Sequence, residues 1–310
     1  MIKMINMISL FSGLGAFESA LNNLKVEYSV TNYCELDKVA AKAYSLLHNI
    51  SETKNLGDIA KADETILSED VDLITYGFPC QDISLAGSQK GLFNQDGTKT
   101  RSGLFYEALR IISHVRPKMA IAENVKNLMG KKFEDQFKDI LFNLEEIGYN
   151  NYYQILDAKD YGIPQDGKRI FIVSIRKDID LKTFVFPEPI ELNITLQDML
   201  DNEIDEPYYV PQAKIDKILH SHFNQERTMI QRGDICQTLL ARDYKDPKCV
   251  VVQGKVRRIS PREYFRLMGF SDMNFELLVK NGISNTQLYK MAGNSIVVNV
   301  IQKILYQLFK

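Results

Sequence analysis

Gly77-Phe78-Pro79-Cys80-Gln81 follows an apolar run, Val71 to Thr75, and the junction between the two decides how the chain is read. A short apolar run closed by turn formers is the pattern of a strand buried on both faces. Gly77 and Pro79 break that strand and hold a single Cys out on a rigid turn. Open α/β sheets bind ligands beyond the C-terminal ends of their parallel strands, so Cys80 stands where a ligand is expected. A lone Cys is more often a small buried hydrophobe than a nucleophile. The rest of the chain must decide between the two.

Upstream, Met4 to Phe11 reads as a strand, Ser12 to Gly15 as a turn, and Ala16 to Leu24 as a helix. Gly13 and Gly15 let the backbone come close to a ligand. A second strand, Tyr28 to Cys34, ends in Glu35, an acidic residue placed to bind ribose hydroxyls. The helix Lys38 to His48 follows, and then Asn55 to Ile59, where Asp58 can accept from an adenine amine. Downstream of Cys80, the stretch from Asp82 to Thr100 is polar, carries several Gly and shows no periodicity. A loop of that length in a compact domain is usually functional. Next come a helix Gly103 to His114, a strand opening at Pro117 and ending at Glu123-Asn124-Val125, and a helix Phe133 to Glu146 stopped by Gly148. A strand Asn151 to Asp157, the stretch Tyr161 to Gln165 and a strand Arg169 to Ile175 complete a repeating β/α pattern. Phe184 to Pro189 is Pro-punctuated and reads as a linker.

With 310 residues, 45% of them hydrophobic and 25% charged, the chain has the composition of a globular protein with one large and one small domain. No apolar run is long enough for a membrane span. The first residues, MIKMINMISLF, lack a small-residue cleavage site and lead straight into the Gly turn, so they read as a strand rather than a signal peptide. Cys34, Cys80, Cys236 and Cys249 show no CxxC and no metal-ligand spacing, which fits free thiols in a reducing cytoplasm and no bound metal. Net charge is −2, but twelve Lys and Arg face six Asp and Glu between Pro207 and Phe270, so that segment carries +6 and the remainder −8. A basic segment of this kind suits a polyanion, although a solvated face has the same composition.

GFPCQ is the nucleophile motif of the C5-cytosine DNA methyltransferases, and the chain resembles that family. All five residues match, a coincidence expected in roughly one unrelated sequence in 10^4. Seven motifs stand in family order between Met4 and Ile304. Phe11, Ser12, Gly13, Leu14 and Gly15 resemble the S-adenosylmethionine turn, with Ala16 where many members have a further Gly. Glu35 then implies the ribose carboxylate, and Asp58-Ile59 the adenine contact. Leu36 stands where several relatives stack an aromatic ring on adenine. Gly77, Pro79 and Leu104 would line the same pocket, and Asn294 and Ser295 in Tyr289 to Val298 would return to it. Cys80, Glu123 and Arg169 would be catalytic. Relatives usually show Gln-x-Arg-x-Arg; here Gln165 is followed by Gly167 and Arg169, with Lys168 as a partial substitute for the first Arg.

The resemblance implies an α/β fold: a doubly wound, Rossmann-like S-adenosylmethionine-dependent domain over 1–186 and 284–310, with a small target-recognition domain over 187–283. Double-stranded DNA would lie between them. Gln81, Ser84, Lys90, Lys99, Arg101 and Gln165 would contact it. Arg227 and Arg242 would read guanine, Thr238 would sit in a recognition loop, and Gln225 or Asn224 would fill the gap left by a flipped base. The chemistry expected is methyl transfer from S-adenosylmethionine to C5 of cytosine through a Cys80–C6 adduct. A positive neighbourhood must favour the thiolate, and either a helix N-terminus or the loop lysines can supply it. The protein would act as a monomer, in restriction-modification beside a partner endonuclease acting on the same site or in phage protection. A tRNA methyltransferase or a catalytically inert DNA-binding regulator of the same fold are the other readings.

Overall fold

The computed structural model describes residues 4–84, 87–213, 215–216, 230–231 and 233–310. In chain order the first strands and helices are β1 (Ile5–Leu10), α1 (Ala16–Asn23), β2 (Tyr28–Cys34), α2 (Lys38–His48), β3 (Leu73–Tyr76), α3 (Phe105–Val115), β4 (Met119–Val125), α4 (Glu134–Glu146), β5 (Tyr149–Leu156), β6 (Gln165–Asp166) and β7 (Arg169–Arg176). Packing divides the chain into two compact units, 1–156 with 168–188 and 301–310, and 157–167 with 189–300.

In the first unit six strands form one sheet in the order β2-β1-β3-β4-β7-β5. β2, β1, β3 and β4 are parallel, and β7 runs antiparallel to both β4 and β5. Alternation sorts the side chains by face. Ile8, Leu10, Ile74, Tyr76, Ala120, Ala122, Ile170 and Ile172 join a core with Phe105, Ala108, Ile111 and Ile112 of α3 and Phe137, Ile140 and Leu144 of α4. The alternate positions Met7, Leu73, Ile121, Phe171 and Val173 are buried as well, so the sheet is covered on both faces as the doubly wound reading requires. The chain steps from β1 outward to β2 and then returns past β1 to β3. The crevice beyond the C-terminal ends of β1 and β3 is therefore the switch point where such sheets take ligands.

Local chemistry sets the ends of the elements. Asp37 caps α2 by accepting from Val39 N at 2.9 Å and Ala40 N at 3.3 Å. α1 follows directly on Gly15, which is left-handed at φ +70. α4 exits through Gly148 at φ +99, a conformation that favours Gly.

The second unit is built from β6, β8 (Ile230–Gln231), β9 (Cys236–Gln237), β10 (Cys249–Val252) and β11 (Lys255–Arg258), with helices α5 (Pro261–Leu267), α6 (Asp272–Lys280) and α7 (Asn285–Asn294). α8 (Val298–Phe309) leaves this unit and ends in the first. β8, β10 and β11 form one small sheet and β6 pairs with β9. Ser260 and Glu263 make a reciprocal capping box at the start of α5. Glu263 also takes a two-pronged ion pair from Arg257, at 2.9 and 2.7 Å, with both side chains essentially without solvent contact. Packing assigns 157–167 and 284–300 to this unit, whereas the sequence boundary left them with the larger domain. Two contacts explain the difference: β6 pairs with β9, and the Gly293 backbone lies against Leu240 and Ala241.

Candidate active site

The turn after β1 is shaped by its own hydrogen bonds. Ser12 donates from N to Cys34 O at 3.0 Å, and its Oγ donates to Ser9 O at 2.9 Å. Phe11 takes φ +54, a left-handed conformation costly for an aromatic residue and typical of strained functional turns. A Cβ on Gly13 would point into open space, while one on Gly15 would run into the His48 and Tyr44 rings. The turn is thus open on one side and closely backed on the other.

Glu35 leaves the end of β2 and points back at this turn. Its Oε2 accepts from Gly13 N at 2.9 Å and its Oε1 from Asp37 N at 2.8 Å. Burial raises the Glu35 carboxyl above its usual range, and these backbone donors oppose the rise. Each oxygen keeps lone pairs for a further donor such as a ribose hydroxyl. Asp58 caps the short helical turn Ile59–Lys61, its Oδ1 accepting from Ala60 N at 3.1 Å, and Ile59 is buried. Arg110 pins this segment by donating to Ile59 O at 3.0 Å and Ala62 O at 3.1 Å. Leu36 is 72% exposed and offers no ring. Gly77, Pro79 and Leu104 are half-buried, and Leu104 packs on the core beside the switch point. An open glycine turn, the Glu35 carboxylate bonded to it and the Asp58 carboxylate on the next segment form a donor and acceptor set that fits S-adenosylmethionine.

Cys80 stands on the turn after β3. Cys80 O accepts from Ile83 N and Ser84 N, and Asn124 Nδ2 holds Phe78 O at 3.0 Å. Asn127 Nδ2 holds Ile83 O at 2.5 Å, so two amides from the β4 end fix the nucleophile turn on either side. Val125 is directly opposite Arg169 in the β4–β7 ladder, which makes Glu123 and Arg169 diagonal neighbours on one face. Their side chains meet with Arg169 Nε 3.1 Å from Glu123 Oε1. Burial raises the Glu123 carboxyl to about 7, against the pull of Arg169. Burial also raises the Cys80 thiol; the Glu123 charge adds to the rise and the Arg169 charge opposes it. Cys80, Glu123 and Arg169 therefore feel one another. Arg169 supplies a positive charge that acts on the sulfur.

The segment after Cys80 is held at its roots. Asp82 accepts from Ser88 Oγ at 2.6 Å and Ser102 N at 3.3 Å, and Leu92 N donates to Gln136 Oε1 at 2.8 Å. Gln81, Lys90 and Arg101 are exposed, and Ser84 is half-buried. Lys99 is paired with Glu107 at 2.7 Å, which competes with the phosphate contact expected of it.

In the second unit, Gln165 is 2% exposed. Its Nε2 donates to Leu267 O at 2.8 Å and its Oε1 accepts from Leu239 N at 3.3 Å, so the amide tethers β6 to α5 rather than presenting itself to DNA. Thr238 Oγ1 donates to Asp166 O in the same cluster. Gly167 N donates to Asp157 Oδ1 at 2.9 Å. The backbone is packed where relatives carry the first Arg. Arg242 is exposed, Asn294 is exposed at the end of α7, and Ser295 N donates to Ala292 O at 3.0 Å. Asn224, Gln225 and Arg227 lie outside the described residues.

Asn55, Arg110, Asn124 and Asn127 were not among the sequence candidates. Asn124 and Asn127 flank the Glu123 motif closely enough to have been suspected; Arg110 and Asn55 carry no local signal.

A family model described as C-5 cytosine-specific DNA methylase matches residues 5–310. The chain is 39% identical over 267 residues to the type II methyltransferase M2.ScrFI of Lactococcus lactis subsp. cremoris, covering 83% of this chain and 71% of that protein. It is 33% identical over 324 residues to the type II methyltransferase M.HhaI of Haemophilus parahaemolyticus, covering 98% and 94%. The S. pombe Dnmt2 methyltransferase structure superposes with a TM-score of 0.73 at 21% identity, over 98% of each chain, a likeness of fold. Matched along nearly its whole length, the chain belongs to the C-5 cytosine-specific DNA methylase family.

Proposed function

We propose that Cys80, Glu123 and Arg169 methylate C5 of a cytosine flipped out of a short duplex DNA site. The observation carrying this reading is the 3.1 Å Arg169–Glu123 pair, whose charges both act on the Cys80 thiol. Cytosine C5 is a poor nucleophile. Addition of the Cys80 thiolate to C6 forms the S–C6 bond and moves the C5–C6 π electrons so that C5 becomes enamine-like. Charge arriving at N3 must be met by a proton. Glu123, raised to about 7 by burial, holds that proton near neutral pH and delivers it to N3. The carboxylate left behind faces Arg169, whose guanidinium stabilises it and can bond the ring O2 with a remaining N–H. S-adenosylmethionine would be held by the Phe11–Gly15 turn, Glu35 and Asp58-Ile59, and would supply C5 with an electrophilic methyl group, leaving as S-adenosylhomocysteine. A water then removes the C5 proton, electrons return to form C5=C6, the S–C6 bond breaks and N3 gives its proton back to Glu123.

Extruding the base costs a few kcal/mol, offset by pocket contacts. The exposed Gln81, Lys90 and Arg101, with Ser84 and, in the second unit, Thr238 and Arg242, are the described residues available to contact DNA. The similarity to type II methyltransferases supports protection of a site cut by a partner endonuclease; the protein is proposed to act there as a monomer. Bisulfite sequencing of DNA from cells expressing the protein tests the reading. Protected cytosines in one short motif are expected; DNA with no protected cytosine, alongside methylated RNA, would overturn it.

A further inference from the structure

Asn55 is not among the cofactor contacts, yet its side chain joins the segments that carry them. Its Oδ1 accepts from Glu35 N at 3.0 Å and from Gly57 N at 2.9 Å, while its Nδ2 donates to Glu35 O at 3.0 Å. The side-chain amide thereby replaces a backbone peptide. It satisfies both main-chain groups of Glu35 and closes the turn leading to Asp58. The Asn55 backbone lies beside the end of β2, bridged to Tyr33, with Leu56 N donating to Tyr33 O at 2.7 Å. Glu35 in turn holds Gly13 N of the glycine turn at 2.9 Å. One hydrogen-bonded chain thus runs from Gly13 through Glu35 and Asn55 to Gly57, the residue before Asp58.

We infer that Asn55 is a positioning residue for the nucleoside half of the cofactor, fixing the distance between the ribose carboxylate of Glu35 and the adenine acceptor of Asp58. The inference rests on the roles proposed for Glu35 and Asp58. An amide alone makes all three bonds: Asp keeps the acceptor for the two N–H groups but turns a second carboxylate oxygen toward Glu35 O, and Ala leaves the Glu35 N–H, the Glu35 carbonyl and the Gly57 N–H without these partners.

The test is calorimetric binding of S-adenosylhomocysteine to full-length wild type, Asn55→Ala, Asn55→Asp, Glu35→Ala and the Asn55→Ala/Glu35→Ala double variant. Asn55→Ala is expected to raise Kd by about ten- to a hundredfold, a lost hydrogen bond being worth roughly tenfold. The unliganded melting temperature should stay within about 4 °C of wild type. Asn55→Asp, keeping the acceptor, should recover part of the affinity. The methyl donor KM should rise while kcat at saturation stays within about threefold, as for lost uniform binding. Because Asn55 acts partly through Glu35 and partly through the turn leading to Asp58, the double variant should lose less affinity than the two single losses added, by more than the about 0.5 kcal/mol, roughly a twofold change in Kd, within which independent losses add. Wild-type affinity in Asn55→Ala, or losses that simply add in the double variant, would overturn the inference. Wild-type affinity in Glu35→Ala would instead remove the ribose role beneath it.

Discussion

Glu123→Gln takes one proton away while leaving the shape of the side chain almost unchanged. Burial lifts this carboxyl from its ordinary 4.5 to about 7 despite the Arg169 charge 3.1 Å away. At 1.36 kcal/mol per pH unit, the rise corresponds to about 3 kcal/mol of proton-linked stability. The folded protein holds the proton more tightly than the unfolded chain. The contribution is therefore complete below about pH 4.5 and lost as the pH climbs through about 7. Gln cannot ionise, so this slope should vanish in the variant, and the melting temperature of wild type relative to Glu123→Gln should fall by roughly 5 °C between pH 5 and pH 8. Catalysis should show the same group. At pH 8 only about one tenth of Glu123 keeps its proton, so wild-type adduct formation should lose rate above neutrality on account of this group. Glu123→Gln should lose about 10^2- to 10^4-fold in kcat. Calorimetry at four pH values and single-turnover methyl transfer measure both effects. Identical pH slopes for the two proteins, with kcat retained within about tenfold, would refute the assignment of the proton to Glu123.

Cys80→Ser should abolish methyl transfer and leave DNA affinity within about threefold in gel-shift titration, because the sulfur enters the chemistry and not the ground-state contacts. Persistent turnover would remove the nucleophile assignment. Glu35→Ala should weaken S-adenosylhomocysteine binding more than DNA binding, and the reverse order in titrations would contradict the ribose role. Glu263→Ala strands the buried Arg257 charge and should cost about 3–5 kcal/mol in chemical unfolding. A cost below about 1 kcal/mol, the range of exposed pairs, would show that water reaches the site.

Much of the first unit could be read directly from the chain. β2 and α2 have the bounds read from the sequence, Tyr28–Cys34 and Lys38–His48, and the Asp37 cap is a local signal for the start of α2. The residues proposed as catalytic were legible through motif spacing, and the structure brings two of them, Glu123 and Arg169, together. Less was legible where long-range packing decides. β3 starts at Leu73 rather than Val71, although Val71 O and Asp72 O already accept from Lys118 N and Met119 N. The antiparallel direction of β7 leaves no trace in its apolar pattern. Gly103 sits in a tight turn before α3 instead of inside it. Gln165 matches a DNA-contact motif yet is buried, since its partners Leu239 and Leu267 are more than 70 residues away in sequence. Asn55 and Arg110 escaped for the same reason: an amide or guanidinium does not announce which backbone it will serve.

The central claim is that the Cys80 sulfur bonds transiently to C6 of an extruded cytosine. Duplex DNA carrying 5-fluorocytosine has no C5 proton to remove, so with S-adenosylmethionine the adduct should persist. Intact-mass and peptide mass spectrometry should find protein, DNA and one methyl group joined at Cys80, and no adduct in Cys80→Ala. An adduct mapped to another residue, or none at all while cytosine in the same site is methylated, would contradict the account.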